Sequence, residues 1–253
     1  MSLVDRLLDP SSRTVIAHRG DRAHAAENTL ESLQRAIDLG ADAIEFDVRV
    51  TRDGVPVVIH DPAVDRTTDG RGLVQSFTHA EIRRLDAGAR WPQSGASALW
   101  IPSLEEVLDH FRALPCIIEV KELAAVEATE RLIAKLGAED RVVVGSAETR
   151  VMQRFYRTKL RTCASMHDAT MLIPIALAGL RPAKPRYDVL SVTPRFRGFR
   201  IPVLRMAAAA RRVGIATQVW TVNDPDVARA YWRGGVSGIV TDDPGAMLRA
   251  RAQ

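Results

Sequence analysis

The chain has 253 residues, 46% of them apolar and 26% charged, with 35 lysines and arginines against 31 acids and a net charge of +4. That is the makeup of a folded globular protein, and the scattered arginines without interleaved aromatics argue against a nucleic-acid-binding surface. No run reaches the ~20 apolar residues that span a bilayer, so no stable membrane insertion is expected. The longest run, residues 171–180, contains Pro174. The N-terminus lacks the apolar core of a signal peptide, and the expected setting is cytoplasmic. Cys116 and Cys163 each sit in an apolar run and read as buried thiols.

In chain order, short β-branched runs alternate with helical patterns. Strands are expected at 14–17, 42–48, 116–120, 141–145, 161–165, 188–192, 216–221 and 237–240. Helices are expected at 29–39, 103–111, 124–136, 148–158, 169–178, 203–213, 225–233 and 244–250. Asn28 reads as the cap of the first helix, with Glu31 completing a capping box and Gly40 as its stop. Asn223 or Asp224 reads as the cap of the seventh, with Pro225 in its first turn. Eight alternations point to an α/β protein, a closed (β/α)8 TIM barrel, and no GxGxxG follows the first strand. The stretch 49–102 lacks the alternation and carries a hairpin signal around Asp53-Gly54. It reads as a small insertion after the second strand, within a single barrel domain over 1–253. A barrel's active site lies at the C-terminal ends of its strands, so the insertion borders the site.

The chemistry-bearing residues cluster at those strand ends. His18 and Arg19 close the first strand, a base beside a guanidinium whose fork matches a phosphate. Along the second strand Glu45 and Asp47 share one face while Ile44, Phe46 and Val48 share the other. Glu119 and Lys121 end the third strand in the same way. Three carboxylates suit a hard divalent cation, Mg2+ or Ca2+, without choosing between them. His60 ends the run 57–60 and offers a second histidine for acid–base chemistry. Trp220 suits a substrate-pocket wall or the core. His24, His79, His110 and His167 read as surface or cap residues.

These residues resemble a known family. His18-Arg19-Gly20, Glu27-Asn28-Thr29, Gly40-Ala41-Asp42 and Glu45-Phe46-Asp47-Val48 follow one another as in glycerophosphodiester phosphodiesterases. So do Thr51-Arg52-Asp53-Gly54, His60-Asp61, Arg66-Thr67-Thr68-Asp69-Gly70, Glu119-Val120-Lys121, Trp220-Thr221-Val222-Asn223 and the close at Thr241-Asp242-Asp243-Pro244. The resemblance spans about residues 13–248. It implies a barrel with an insertion after the second strand, one divalent metal on Glu45, Asp47 and Glu119, an acid–base pair of His18 and His60, and phosphate contacts from Arg19 and Lys121. It departs at Ala26, where the family usually has proline. Residues 151–202 are rich in arginine and carry no family pattern.

The reaction so implied is hydrolysis of a small glycerophosphodiester to glycerol 3-phosphate and an alcohol, with His18 as base and His60 as acid. The attacking oxygen is either a neighbouring glycerol hydroxyl or water. Two alternatives stand beside it. One is a related barrel phosphodiesterase acting on lysophospholipids or phosphoinositides, which needs an apolar rim that Trp91 and Trp100 of the insertion supply only weakly. The other is a non-catalytic phospholigand-binding homologue, which is expected to have lost one of these groups. Head group and oligomeric state are not legible.

Overall fold

The structure, a computed structural model, describes residues 2–91 and 99–252. Eight parallel strands form the barrel wall: β1 (Thr14–His18), β2 (Ala43–Val50), β4 (Cys116–Val120), β5 (Val142–Gly145), β6 (Arg161–Thr162), β7 (Val189–Val192), β10 (Ala216–Val219) and β11 (Gly238–Thr241). Their order is β6-β5-β4-β2-β1-β11-β10-β7, and a parallel bridge from Cys163 to Val189 joins the two ends. This is the (β/α)8 barrel expected from the alternation, with all eight strands where the β-branched runs put them.

The helices between are α2 (Leu30–Asp38), α4 (Leu104–His110), α5 (Val126–Lys135), α6 (Thr149–Phe155), α7 (Met166–Leu177), α8 (Val203–Arg211), α9 (Pro225–Arg233) and α10 (Pro244–Ala252). Each strand's alternation divides its side chains between two layers. Ile44, Phe46 and Val48 of β2, with Cys116, Ile118 and Val120 of β4, face outward and pack under the helices together with Leu104, Leu108 and Phe155. Each such fully buried side chain contributes roughly 1.5–3 kcal/mol. Inside the barrel, Ile16, Ala43, Ile117, Val143, Val189, Ala216 and Val240 fill the lower layer. A short helix, α1 (Asp5–Leu8), closes that end through Val4 and Leu7.

Among the described residues, the features outside the expected elements include α1; α3 (His79–Ile82), a short helix within the insertion; and a two-stranded hairpin, β8 (Arg195–Phe196) with β9 (Phe199–Arg200). The stretch read as an insertion holds β3 (Pro56–Val58), antiparallel to β2 with Val48 opposite Val58, so the Asp53-Gly54 signal was a true turn. Its own small core joins Val57, Ile59, Val64, Val74, Ile82 and Ile101. Residues 92–98, which the expected insertion includes, lie outside the described residues.

One capping expectation is corrected, and another, open between Asn223 and Asp224, is decided. Thr29, not Asn28, caps α2, accepting from the Ser32 amide. Asn28 instead adopts a left-handed backbone, φ 59°, and turns its amide group inward. At α9 the cap is Asp224, which accepts from the amides of Asp226 and Val227, and Asn223 is engaged elsewhere. Gly40 ends α2 as expected, with φ 94°.

Candidate active site

Register alone gathers the charged groups at the top of the barrel. His18 of β1 is level with Glu45 of β2, and Asp47 is level with Glu119 of β4. A cavity of about 560 Å³ opens above them. It is lined by His18, Arg19, Glu45, His60, Glu119, Lys121 and Trp220, while Asp47 lies fully buried beneath. All eight residues singled out in the sequence therefore meet at one place.

Each histidine is oriented through Nδ1 by a carboxylate. His18 Nδ1 lies 2.7 Å from Asp242 Oδ1, and His60 Nδ1 lies 2.6 Å from Asp61 Oδ1. That leaves Nε2 of each ring for proton exchange. Burial works against a charged His18, but the bond to Asp242 and the nearby Glu45 outweigh it, and its pKa is raised. His60 is shifted the other way, because burial prevails over Asp61. Asp242 is itself held at about 2: burial opposes ionisation, but the bonds from His18 and Asn223 prevail. Asn223 Nδ2 donates to Asp242 Oδ2 at 2.8 Å, and its Oδ1 accepts from the Asp242 amide. Asn223 is thus a clamp on the residue that orients His18.

Glu27 ties the two histidine systems together. Its carboxylate receives Arg19 Nη1 at 2.9 Å, Arg22 Nε at 2.9 Å and both terminal nitrogens of Arg66. Arg22 also reaches Asp242, and Arg66 reaches Asp61 through Nε at 2.5 Å. Burial opposes the Glu27 charge, yet the Arg66 bonds and the Arg19 and Arg22 charges hold its carboxyl down at about 2.

The acidic cluster is partly answered by the chain itself. Lys121 Nζ lies 2.8 Å from Asp47 and 2.7 Å from Glu119, Arg19 Nε lies 2.8 Å from Asp47, and Asn28 donates to Asp47 at 2.9 Å. Glu45 is left with the least compensation. Burial, then the charges of Asp47 and Glu119, outweigh His18 and Lys121 and push its carboxyl up to about 7. Glu45, Asp47 and Glu119 each offer an oxygen within 4.8 Å of the others. Crowded hard oxygens with charge still to be answered fit a divalent cation.

Backbone geometry holds this constellation. Arg19 takes a left-handed conformation, φ 58°, and its carbonyl accepts from the Asn28 amide and the Ser32 hydroxyl. Gly20 follows at φ 90°, where a Cβ would lie 2.4 Å from the Ser32 carbonyl carbon. A left-handed residue without glycine stores strain and clusters at functional sites. Asp242, Asp61, Glu27, Arg66 and Asn28 all lie in the motifs that carried the family resemblance. Asn28 reads in the sequence as a cap, the others carry no assigned role there because the lattice that joins them, Asp242 to His18 and Glu27 to Arg66, closes between segments distant in sequence, and Arg22 carries no signal.

Comparison with known proteins identifies the family. A profile of the Glycerophosphoryl diester phosphodiesterase family matches residues 18–246. A glycerophosphodiester phosphodiesterase of Caldanaerobacter subterraneus is 33% identical over 246 residues, covering 92% of this chain and 96% of that protein. The crystal structure of a glycerophosphodiester phosphodiesterase from Agrobacterium tumefaciens superposes with a TM-score of 0.79 at 27% identity, over 95% of this chain and 100% of that one. An Oleispira antarctica phosphodiesterase solved in complex with its product sn-glycerol-3-phosphate shares the fold, with a TM-score of 0.76 at 23% identity over 95% and 97% of the two chains. The chain belongs to the glycerophosphoryl diester phosphodiesterase family and is an enzyme of the phosphoric diester hydrolase class.

Proposed function

We propose that the chain hydrolyses glycerophosphodiesters to glycerol 3-phosphate and an alcohol, using His18 and His60 as the acid–base pair, Arg19 and Lys121 on the phosphate, Trp220 on the substrate, and Glu45, Asp47 and Glu119 as ligands of one Mg2+ or Ca2+ ion. The observation that carries this reading is two carboxylate-held histidines beside a three-carboxylate cluster at one cavity. Arg19 is fixed by Asp47 and Glu27, so its remaining N–H groups are pre-aimed for phosphoryl oxygens. Lys121 adds a point charge beside it. A divalent cation held by the carboxylates would supply positive charge to the phosphoryl and attacking oxygens and, by answering Glu45, would weaken the hold on the His18 proton.

His18 then takes the proton of the attacking oxygen through Nε2, and His60 delivers one to the leaving alkoxide. In the chain alone the shifts run the opposite way, His18 up and His60 down, and a cation answering Glu45 would draw the His18 shift back. Among the described residues no helix is long and apolar enough to cross a membrane, and the substrate is a small molecule. Two free, buried cysteines suit a cytoplasmic setting. The test is product analysis with glycerophosphocholine, glycerophosphoethanolamine and glycerophosphoinositol. Release of glycerol 3-phosphate is expected; release of a head-group phosphate, or no product from folded protein supplied with both ions, would refute the reading.

A further inference from the structure

His60 sits where regular pairing stops. Strand β3 ends at Val58, and the Ile59 amide still donates to the Asp47 carbonyl of β2 at 3.0 Å. One residue on, a side chain takes over: Arg49 Nε donates to the His60 carbonyl at 2.7 Å. The bond from Nδ1 to Asp61 orients the ring, but it comes from the next residue in the chain and moves with the segment that carries His60. Fixing that segment takes contacts that reach the barrel, and two arginines supply them. Arg66 links Asp61 to Glu27 and is 44% exposed, whereas Arg49 is 13% exposed. Water and salt screen the exposed link more, so Arg49 is the firmer anchor.

Arg49 is aimed in turn by Glu122. Its Nη1 lies 3.0 Å from Glu122 Oε2, while Glu122 Oε1 accepts from the Val50 amide at 3.0 Å. One carboxylate oxygen for each donor locks the guanidinium against the end of its own strand. Glu122 directly follows Lys121, whose amide donates to the Val48 carbonyl at 3.0 Å. The pair thus joins the end of β2, the segment after β4 that carries the phosphate-facing lysine, and the main chain of His60. Five register pairs already hold β2 to β4, so what the pair adds is the placement of His60. Neither Arg49 nor Glu122 is among the described residues that line the cavity.

We propose that Arg49, clamped by Glu122, is a positioning residue for His60 and sets the reach of its ring to the leaving oxygen. This rests on the reading of His60 as the acid of the phosphodiesterase site. As the bond from phosphorus to the alcohol oxygen breaks, its electron pair stays on that oxygen and the proton on His60 Nε2 passes to it. The transfer needs ring and oxygen within hydrogen-bond reach, and a segment released from Arg49 loses that reach without losing any group that binds substrate.

The experiment compares two substrates with the same glycerophosphoryl group, glycerophosphocholine and glycerophospho-p-nitrophenol, with the divalent ion supplied. The choline alkoxide needs a proton to leave, and p-nitrophenolate does not. Arg49→Gln should lower kcat for glycerophosphocholine by roughly tenfold to a hundredfold, the scale of a misplaced catalytic group. KM, and kcat for glycerophospho-p-nitrophenol, should stay nearly unchanged. Glu122→Gln keeps one acceptor oxygen where the clamp uses two, and should show the same split more weakly. In His60→Ala protein, Arg49→Gln should lower kcat for glycerophosphocholine no further, because the ring it acts through is gone. Equal losses on both substrates, or a full further loss in the His60→Ala protein, overturn the inference. If Arg49→Gln does not fold, the comparison is read from Glu122→Gln, and no split there overturns it equally. A split in His60→Ala without one in Arg49→Gln overturns the clamp and leaves the acid role of His60 standing. Equal losses in His60→Ala overturn that acid role and the inference with it.

Discussion

The two arcs of the barrel share one cavity and bring opposite chemistry to it. The arc of β1, β2, β4 and the segment after β3 contributes every charged or imidazole side chain of the lining, and the arc from β5 to β11 contributes apolar surface and hydroxyls. The first is held by ion pairs running from His60 through Asp61, Arg66 and Glu27 to Arg19, Asp47, Lys121 and Glu119. The second is held by packing of Leu172, Met206, Val219 and Trp232. One residue crosses over: Asp242, just past β11, orients His18. The difference implies that bond cleavage and substrate choice are separable, and substitutions can test that separation.

The largest effect is expected at the histidines. His18→Ala or His60→Ala should lower kcat for glycerophosphocholine by roughly 10²–10⁴, the usual worth of general acid–base catalysis, with the circular dichroism spectrum unchanged. A loss under tenfold for either would remove it from the pair.

Glu45→Gln should also abolish ion-stimulated turnover, but with an opposite effect on the fold. Its buried carboxyl, pushed up to about 7, disfavours the metal-free native state near neutrality. The variant without metal should therefore melt a few degrees above wild type. A lower melting point would show that Glu45 is already compensated.

Glu27→Gln tests the lattice that links the histidines. Its carboxyl is held at about 2 against an ordinary value near 4.5, so its contribution is present above about pH 4.5 and is lost as pH falls through about 2. The full shift corresponds to about 3 kcal/mol. Urea unfolding should show the gap between wild type and variant wide at pH 7 and narrowed at pH 3; an equally wide gap at pH 3 would contradict the pairing. The smallest effect is expected on the apolar arc: Trp220→Ala should change KM several-fold with kcat nearly constant. A collapse of kcat would join the two arcs functionally.

The same division governs what could be read in the sequence. Alternation along β2 put Glu45 and Asp47 on one face and Phe46 on the other, because strand periodicity is a local rule. The eight strands followed from an equally local signal, short β-branched runs set between helical patterns. Asp242 could not be assigned, since its partner His18 lies 224 residues away. Asn28 looked like a helix cap because Asn and Thr both cap well; only its positive φ, set by contacts with Arg19 and Asp47, gives the role to Thr29. The hairpin at 195–200 turns through Arg197 and Gly198 with φ 48° and 87°, and an Arg-Gly pair carries none of the Asn-Gly or Asp-Gly signal of such turns. The apolar arc likewise drew from 151–202, where α7 is too uniformly apolar for periodicity to say which side meets the core and which meets the cavity.

The central claim, that the charged arc forms an ion-dependent phosphodiesterase site, is tested most directly by titrating Mg2+ or Ca2+ into chelator-treated protein while following glycerol 3-phosphate release from glycerophosphocholine. Release should be absent without the ion and rise to saturation as one site fills. Full turnover in excess chelator would contradict it.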